Sequence, residues 1–173
     1  MPGVLDQQEY ERRFLVTDAT ILEGANFQWI DQGYLWAREG YAIRVRLTEQ
    51  NEEFDSDSDD PAIFTIKGPR HDATRFEQEF LLPHSVGLDL LRLSNFRITK
   101  KRYAVIYHQE TWVVDVFTGG NDGLMIAEFE ADSPQAVQAV RRPSWCGEEI
   151  TDDRRYDNEN LARTPYAEWK DTC

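Results

Sequence analysis

The stretch Gln8–Val16, QEYERRFLV, has the alternation typical of a β-strand near the start of the chain. Successive side chains of a strand point to opposite faces, so this stretch places three charged residues on one face: Glu9, Glu11 and Arg13. Two carboxylates followed by a cation, all on the same side, are unusual for a strand that simply lies on a core. The question is what this face binds.

Seven further segments have strand-like composition, and turn residues separate most of them. They are Asn26–Ala37, Tyr41–Glu49, Ala62–Gly68, Thr74–Leu82, Ile98–Gln109, Thr111–Thr118 and Gly123–Ala131. Helical spacing or capping residues predict three helices, His84–Ser94, one opening at Ser133-Pro134, and Asp157–Arg163. Eight strands and few helices predict a mainly β, α+β fold, built as an antiparallel sheet, a sandwich or a closed barrel.

The same alternation repeats charges of one sign on one face of several strands. The basic positions are Arg44, Arg46, Lys67, Lys100 and Arg102, and the acidic ones are Glu77, Glu79, Asp115, Glu128 and Glu130. A solvated polar face is the ordinary explanation for any single strand. However, like charges at neighbouring positions of a sheet cost about 0.2–1 kcal/mol unless something lies between them. Separate acidic and basic groups suit a polyanion with its metal, since carboxylates bind Mg²⁺ or Mn²⁺ and cations bind phosphate oxygens.

Composition narrows the choice of partner and location. The 173 residues suit a single domain with a core, and the net charge of −13 disfavours nucleic acid and anionic lipid as partners. There is no run of about 18 apolar residues and no targeting segment, which predicts a cytoplasmic protein without a membrane span. Residues 50–60, QNEEFDSDSDD, are predicted to form a solvated acidic loop. Two cysteines and three scattered histidines favour neither a disulfide framework nor a nucleophilic triad.

Taken together, these residues resemble the CYTH superfamily, the triphosphate tunnel metalloenzymes. Glu9-x-Glu11-x-Arg13 is similar to that family's ExExK motif. The likeness continues in order to residue 166, through QGYL, IRVR, FTIKG, RFEQEF, KKRY, WVVDVF, GLMIAEFE and the closing WCGEEIT and RYDNENLARTPY. It covers roughly residues 8–166 of a single domain and is closest in kind to the short bacterial members.

The resemblance implies a closed, eight-stranded antiparallel barrel with a charged interior and a few outer helices. It assigns phosphate binding to Arg13, Arg44, Arg46, Lys67, Lys100 and Arg102. It assigns Mg²⁺ or Mn²⁺ coordination to Glu9, Glu11, Glu128 and Glu130, with Glu77, Glu79 and Asp115 in support. The implied activity is metal-dependent hydrolysis of a small-molecule triphosphate, most simply inorganic triphosphate, to diphosphate and phosphate. The resemblance leaves open whether the protein forms a homodimer.

Two positions depart from the family pattern. Arg13 stands where the family has lysine, and Val116 follows Asp115 where an acidic residue is common. The family lysine is paired with a tyrosine at the position of Tyr34 in activating water. Because arginine does not readily give up its proton, Arg13 is a poor base, so either Tyr34 or metal-bound water carries the activation, or turnover is slow. The alternatives are a class IV adenylate cyclase, a thiamine or nucleoside triphosphatase, and a non-catalytic sensor of nucleotide or polyphosphate.

Overall fold

The computed structural model describes residues 10–49, 59–71 and 74–170 of the chain. Glu9 and positions 50–58 of the predicted acidic loop therefore lie outside the described residues. The strands are β1 Tyr10–Val16, β2 Phe27–Arg38, β3 Tyr41–Glu49, β4 Ala62–His71, β5 Thr74–Leu82, β6 Phe96–Tyr107, β7 Glu110–Phe117, β8 Met125–Ala131 and β9 Cys146–Glu149. All eight predicted strands are confirmed, and β9 is an additional one.

In the described ranges, three α-helices and four short 3₁₀ helices connect or follow the strands. The α-helices are α1 His84–Leu93, α2 Pro134–Ala139 and α3 Asn158–Arg163, and the 3₁₀ helices are Ala19–Leu22, Gly119–Asn121, Arg154–Tyr156 and Tyr166–Glu168. The predicted start of α2 is confirmed, because the Ser133 hydroxyl accepts a hydrogen bond from Ala136 N and Pro134 occupies the first turn. Within the described residues, none of the helices has the length and apolar character needed to span a membrane.

All strand pairs are antiparallel and form one sheet in the order β5-β4-β3-β2-β6-β7-β8-β1-β9. The β6–β7 hairpin has positive φ at both His108 and Gln109, as a two-residue type I′ turn requires. The mainly β, antiparallel prediction is confirmed, but the sheet has nine strands instead of eight. In the described residues β5 and β9 are its two edges, because β9 pairs with the side of β1 that β8 leaves open.

The outer face of the sheet carries two apolar clusters under helices. α2 covers the first, which is built on Phe14, Trp112, Phe129 and Trp145. α1 covers the second, where Leu91 packs against Val45, Leu47 and Ala62. These residues alternate along their strands with the charged ones, so burying them turns the charged positions to the opposite face.

A third apolar cluster lies on the charged side and closes one end of it. Tyr34, Ile98, Phe117 and Ile126 project from the strands and pack against Tyr156 and Leu161 of the C-terminal segment. On β6, β7 and β8 the nearest charged residue of the same face is two positions away, as Lys100 is from Ile98 and Asp115 is from Phe117. The charged face therefore has an apolar floor made by residues 150–169 and the strand ends.

Candidate active site

Strand register brings the predicted site residues onto one face. Residues directly opposite each other in an antiparallel ladder project to the same side. This relates Arg13 to Glu128, Glu11 to Glu130, Arg102 to Asp115, Tyr34 to Arg44, Thr65 to Glu79, and Lys67 to Glu77. Every predicted site residue within the described ranges shares this face. Glu9 lies outside those ranges.

Asp115 is the electrostatic centre of one half of the face. Its Oδ2 lies 2.5 Å from Lys100 Nζ, and Arg102 donates to both carboxylate oxygens at 2.7 Å. Burial alone would raise the pKa of Asp115, but the charges of Lys100 and Arg102 and the hydrogen bonds that they donate hold it below its usual value. The carboxylate predicted to be supporting thus orients two of the predicted phosphate-binding cations.

Arg44 and Lys67 are paired with the acidic residues of β5. Arg44 Nη2 lies 3.4 Å from both Glu77 Oε1 and Glu79 Oε1, and its Nη1 donates to Gln32 Oε1 at 3.3 Å. Lys67 Nζ lies 2.6 Å from Glu77 Oε2. Glu77 and Glu79 are the more exposed partners, so these carboxylates offset the charge of the two cations from the open side.

Arg46 is different, because it has no ion pair within the described part of the chain. Its Nε is buried and has no hydrogen-bond partner. Burial, and then the neighbouring charges of Arg44 and Arg102, lower the pKa of Arg46. The Nε atoms of Arg13 and Arg44 are also buried, and no described residue forms a hydrogen bond with them. Three guanidinium groups on one face therefore present buried donors that an anion would satisfy.

Arg13 is held by the C-terminal segment. Its Nη2 lies 3.0 Å from Asp157 Oδ1 and donates to Thr151 O at 3.0 Å, while its Nη1 donates to Tyr156 O at 3.4 Å. The remaining nitrogen, Nε, faces Glu11 Oε1 at 3.8 Å. The terminal nitrogens of Arg13 are thus fixed by residues 151–157, and its Nε is directed toward the carboxylate of Glu11.

Three of the four carboxylates predicted to bind metal are described, and they lie on β1 and β8. Glu11 is directly opposite Glu130, and Glu128 lies two residues away on the same face. Burial, together with the charge of Asp115, raises the pKa of Glu128 to about 7, although Lys100 and Arg102 act against this shift. Among the residues that the structure describes, no three acidic, histidine or cysteine side chains are close enough to hold a metal, and Glu9 is outside that set.

Tyr34 lies in the apolar floor of the face. Its hydroxyl accepts a hydrogen bond from Gln32 Nε2 at 2.7 Å. Burial raises the pKa of Tyr34 to about 12, which outweighs the opposing effect of Arg44. At neutral pH Tyr34 is therefore a neutral hydroxyl.

Four residues of the site were not among those predicted from the sequence. Gln32 accepts a hydrogen bond from Arg44, and Thr65 donates one to Glu79. Asp157 forms an ion pair with Arg13, and Asn158 accepts a hydrogen bond from Lys100. Gln32 and Thr65 lie at inward positions of their strands, so their period-two placement was a usable signal. Asp157 and Asn158 begin a short helix, and no local pattern relates them to β1 or β6.

Comparison with known proteins identifies the family. No model of a known protein family matches the chain. The chain is 32% identical over 166 residues to the inorganic triphosphatase of Acetivibrio thermocellus, covering 95% of this chain and 99% of that protein. It is 33% identical over 166 residues to the inorganic triphosphatase of Nitrosomonas europaea, covering 89% of this chain and 96% of that protein. The chain belongs to the inorganic triphosphatases of the CYTH superfamily.

Solved structures agree with this placement in the CYTH superfamily. A crystal structure of an inorganic triphosphatase, 29% identical, superposes with a TM-score of 0.64 and covers 89% of this chain and 93% of its own. A crystal structure from Bacillus halodurans, 18% identical, has a TM-score of 0.52 over 84% of this chain and 97% of its own, and it shows the shared fold alone. The predicted family resemblance is confirmed.

Proposed function

We propose that this CYTH protein hydrolyses inorganic triphosphate to diphosphate and phosphate on its charged face, with Mg²⁺ or Mn²⁺. The observation that carries the proposal is a set of buried guanidinium Nε donors, above all that of Arg46, which have no hydrogen-bond partner within the described part of the chain. A buried donor without an acceptor costs about 1–3 kcal/mol, and a cation costs more. Phosphate oxygens are acceptors with the opposite charge, so a bound triphosphate would remove this cost.

The cations fall into two groups with different tasks. Arg46, with Arg44 beside it, binds the phosphate chain directly. Lys100 and Arg102 are held by Asp115 and contribute positive charge at fixed positions. A linear triphosphate carries four to five negative charges, so several cations spread over β3 and β6 suit it better than a monophosphate.

The acidic residues have the donor chemistry that a divalent metal needs, although the described ones alone are not close enough together to hold it. Glu11, Glu128 and Glu130 provide hard oxygen donors from neighbouring strands, and Glu9 has the spacing to join them. Burial raises the pKa of Glu128, and Glu11 lies directly opposite Glu130, so a divalent cation at this place would stabilise the charged form of these carboxylates. When bound, Mg²⁺ or Mn²⁺ would neutralise phosphate charge and polarise the terminal phosphoryl group and water.

Hydrolysis at this face would proceed by attack of a water oxygen on the terminal phosphorus. The bond from that phosphorus to the bridging oxygen breaks, diphosphate leaves with the electron pair, and the water proton is released to the solvent or the products. Lys100 and Arg102 stabilise the growing charge on the leaving group. Arg13 keeps its proton and Tyr34 is neutral near pH 7, so both bind or orient and neither acts as the base.

We also propose that the sheet closes around this face as a barrel, with the charged residues inside. The support is the burial of charged side chains on the face opposite the covering helices: the side chains of Lys100 and Asp115 are 2% and 1% exposed, and that of Arg13 is 8% exposed. An enclosed site would strengthen every ionic contact with triphosphate by excluding water. The acidic composition disfavours a nucleic acid partner, which agrees with a free small-molecule substrate.

The test is a phosphate-release assay on purified protein with inorganic triphosphate, ATP and thiamine triphosphate, each with Mg²⁺, Mn²⁺ or EDTA. The proposal expects metal-dependent release that is fastest from inorganic triphosphate. Faster release from ATP or thiamine triphosphate would instead assign a nucleoside or thiamine triphosphatase. Cyclic AMP formed from ATP would assign a cyclase, and metal-dependent binding without release would assign a sensor.

A further inference from the structure

We propose that Asp157 and Asn158, the two residues at the start of α3, are positioning residues that set the charge available to triphosphate. Each holds a different buried cation of the charged face, and the inference rests on the function proposed above. Asp157 Oδ1 lies 3.0 Å from Arg13 Nη2 on β1. Asn158 Oδ1 accepts a hydrogen bond from Lys100 Nζ on β6 at 3.2 Å.

The two cations lie on strands that are not neighbours. In the sheet, β1 and β6 are separated by β8 and β7, so no ladder pairing fixes the distance between Arg13 and Lys100. One dipeptide of the C-terminal segment spans this gap. The segment itself is anchored, since Leu161 and Tyr156 are buried in the apolar floor. Asp157 and Asn158 are thus held in place independently of the cations that they contact.

The side chains of Asp157 and Asn158 differ by one negative charge. Asp157 is a carboxylate, so it offsets the positive charge of Arg13 and competes with a phosphate oxygen for Nη2. Thr151 O accepts a hydrogen bond from Nη2 and Tyr156 O accepts one from Nη1, so these backbone oxygens also compete with a phosphate for Arg13, while its Nε is directed toward Glu11. Asn158 is neutral, so it orients Lys100 through a carbonyl oxygen and leaves its charge to Asp115 and the substrate. The charge of Asp157 also reaches deeper into the face, because it adds to the effect of burial in raising the pKa of Tyr34.

This arrangement predicts opposite effects for two nearly isosteric substitutions. Asp157→Asn removes one negative charge beside Arg13, so triphosphate should bind more tightly by about 5-fold or more. Asn158→Asp adds one beside Lys100, so triphosphate should bind more weakly by about the same factor. The double variant Asp157→Asn/Asn158→Asp keeps the net charge and moves the carboxylate from Arg13 to Lys100. Asp152→Asn is the matched control, since this exposed aspartate lies in the same segment and changes the net charge equally.

The experiment is calorimetric titration of each full-length variant with inorganic triphosphate in EDTA, followed by kcat and KM with Mg²⁺. The expected result is a lower Kd and KM for Asp157→Asn together with a reduced kcat, the reverse shift in Kd for Asn158→Asp, and no change for Asp152→Asn. A purely structural role would lower the melting temperature without this split between KM and kcat. In an Arg13→Gln background the effect of Asp157→Asn on Kd should vanish.

Equal Kd values for Asp157→Asn, Asp152→Asn and the wild type would overturn the inference while leaving the proposed function intact. A wild-type protein that binds no triphosphate and releases no phosphate would overturn the proposed function itself.

Discussion

Lys100 and Asp115 form an ion pair of 2.5 Å in which both side chains are almost fully removed from solvent. Arg102 binds the same carboxylate through two nitrogens, so one acidic residue balances two cations. This triad explains how a sheet can hold several positive side chains on one face without unfolding. It also fixes those cations before any substrate arrives, so the site is ordered in advance of binding.

Removing the shared carboxylate should be costly. Asp115→Asn leaves the buried Lys100 without its counter-charge and removes the closer of two carboxylates from the partly exposed Arg102; breaking a buried pair by deleting one partner costs about 3–5 kcal/mol. Urea unfolding in EDTA should show a loss of this order. The exposed Asp122→Asn is the matched control and should unfold like the wild type. A loss no larger than that of the control would contradict the role assigned to Asp115.

Glu128 provides a test through pH. Its pKa is raised to about 7 in the folded protein, so between about pH 4.5 and 7 the folded state holds a proton that the unfolded chain has released. The metal-free protein should therefore lose stability as pH rises through this window. At pH 8 in EDTA, the free energy of unfolding of Glu128→Gln should exceed that of the wild type by an amount on the order of 1–3 kcal/mol. At pH 4.5 the two proteins should be equally stable.

The exposed Glu110→Gln serves as the control for Glu128→Gln and should show no pH-dependent difference from the wild type. If Glu128→Gln were less stable than the wild type at pH 8, the charge of Glu128 would stabilise the folded protein, which would contradict this prediction.

Tyr34 should be dispensable as a source or acceptor of protons. Because burial raises its pKa to about 12, the hydroxyl stays protonated over the working pH range. Tyr34→Phe should keep kcat within about 5-fold of the wild type, with an unchanged pH–rate profile between pH 7 and 10. The exposed Tyr41→Phe gives the baseline for a harmless substitution. A loss of about 100-fold or more in kcat would restore Tyr34 as the activating group.

Cys146 should be inert in the folded protein. Burial raises its pKa to about 12 even though Arg142 and Arg12 act in the other direction, and the side chain lies in the cluster around Trp112 and Trp145. In a Cys173→Ser variant, a thiol reagent at pH 8 should not label the native protein and should label it fully in denaturant. Rapid labelling without denaturant would contradict the burial of this thiol.

The extent to which the sequence predicts this site depends on the range of the interaction. Alternation along a strand placed Arg44, Arg46, Lys100 and Arg102 on one face, because the period of two is fixed by local geometry. The Arg13–Asp157 contact joins residues from opposite ends of the chain, and a short helix start carries no sign of its partner. Likewise β9, Cys146–Glu149, is four residues long without alternation, so only its pairing with β1 reveals it as a strand.

The most direct test of the account is the fate of inorganic triphosphate with and without Arg46, a cation of the charged face that has no ion pair among the described residues. Phosphorus NMR should show wild-type protein with Mg²⁺ converting triphosphate to equal amounts of diphosphate and phosphate. Arg46→Ala should lose about 10-fold or more in kcat/KM, the effect of a lost charged hydrogen bond, and it should melt no lower than the wild type because it removes an unsatisfied buried donor. Arg92→Ala, on the outer helix α1, should match the wild type. No turnover by the wild type, or equal turnover by Arg46→Ala, would contradict the account.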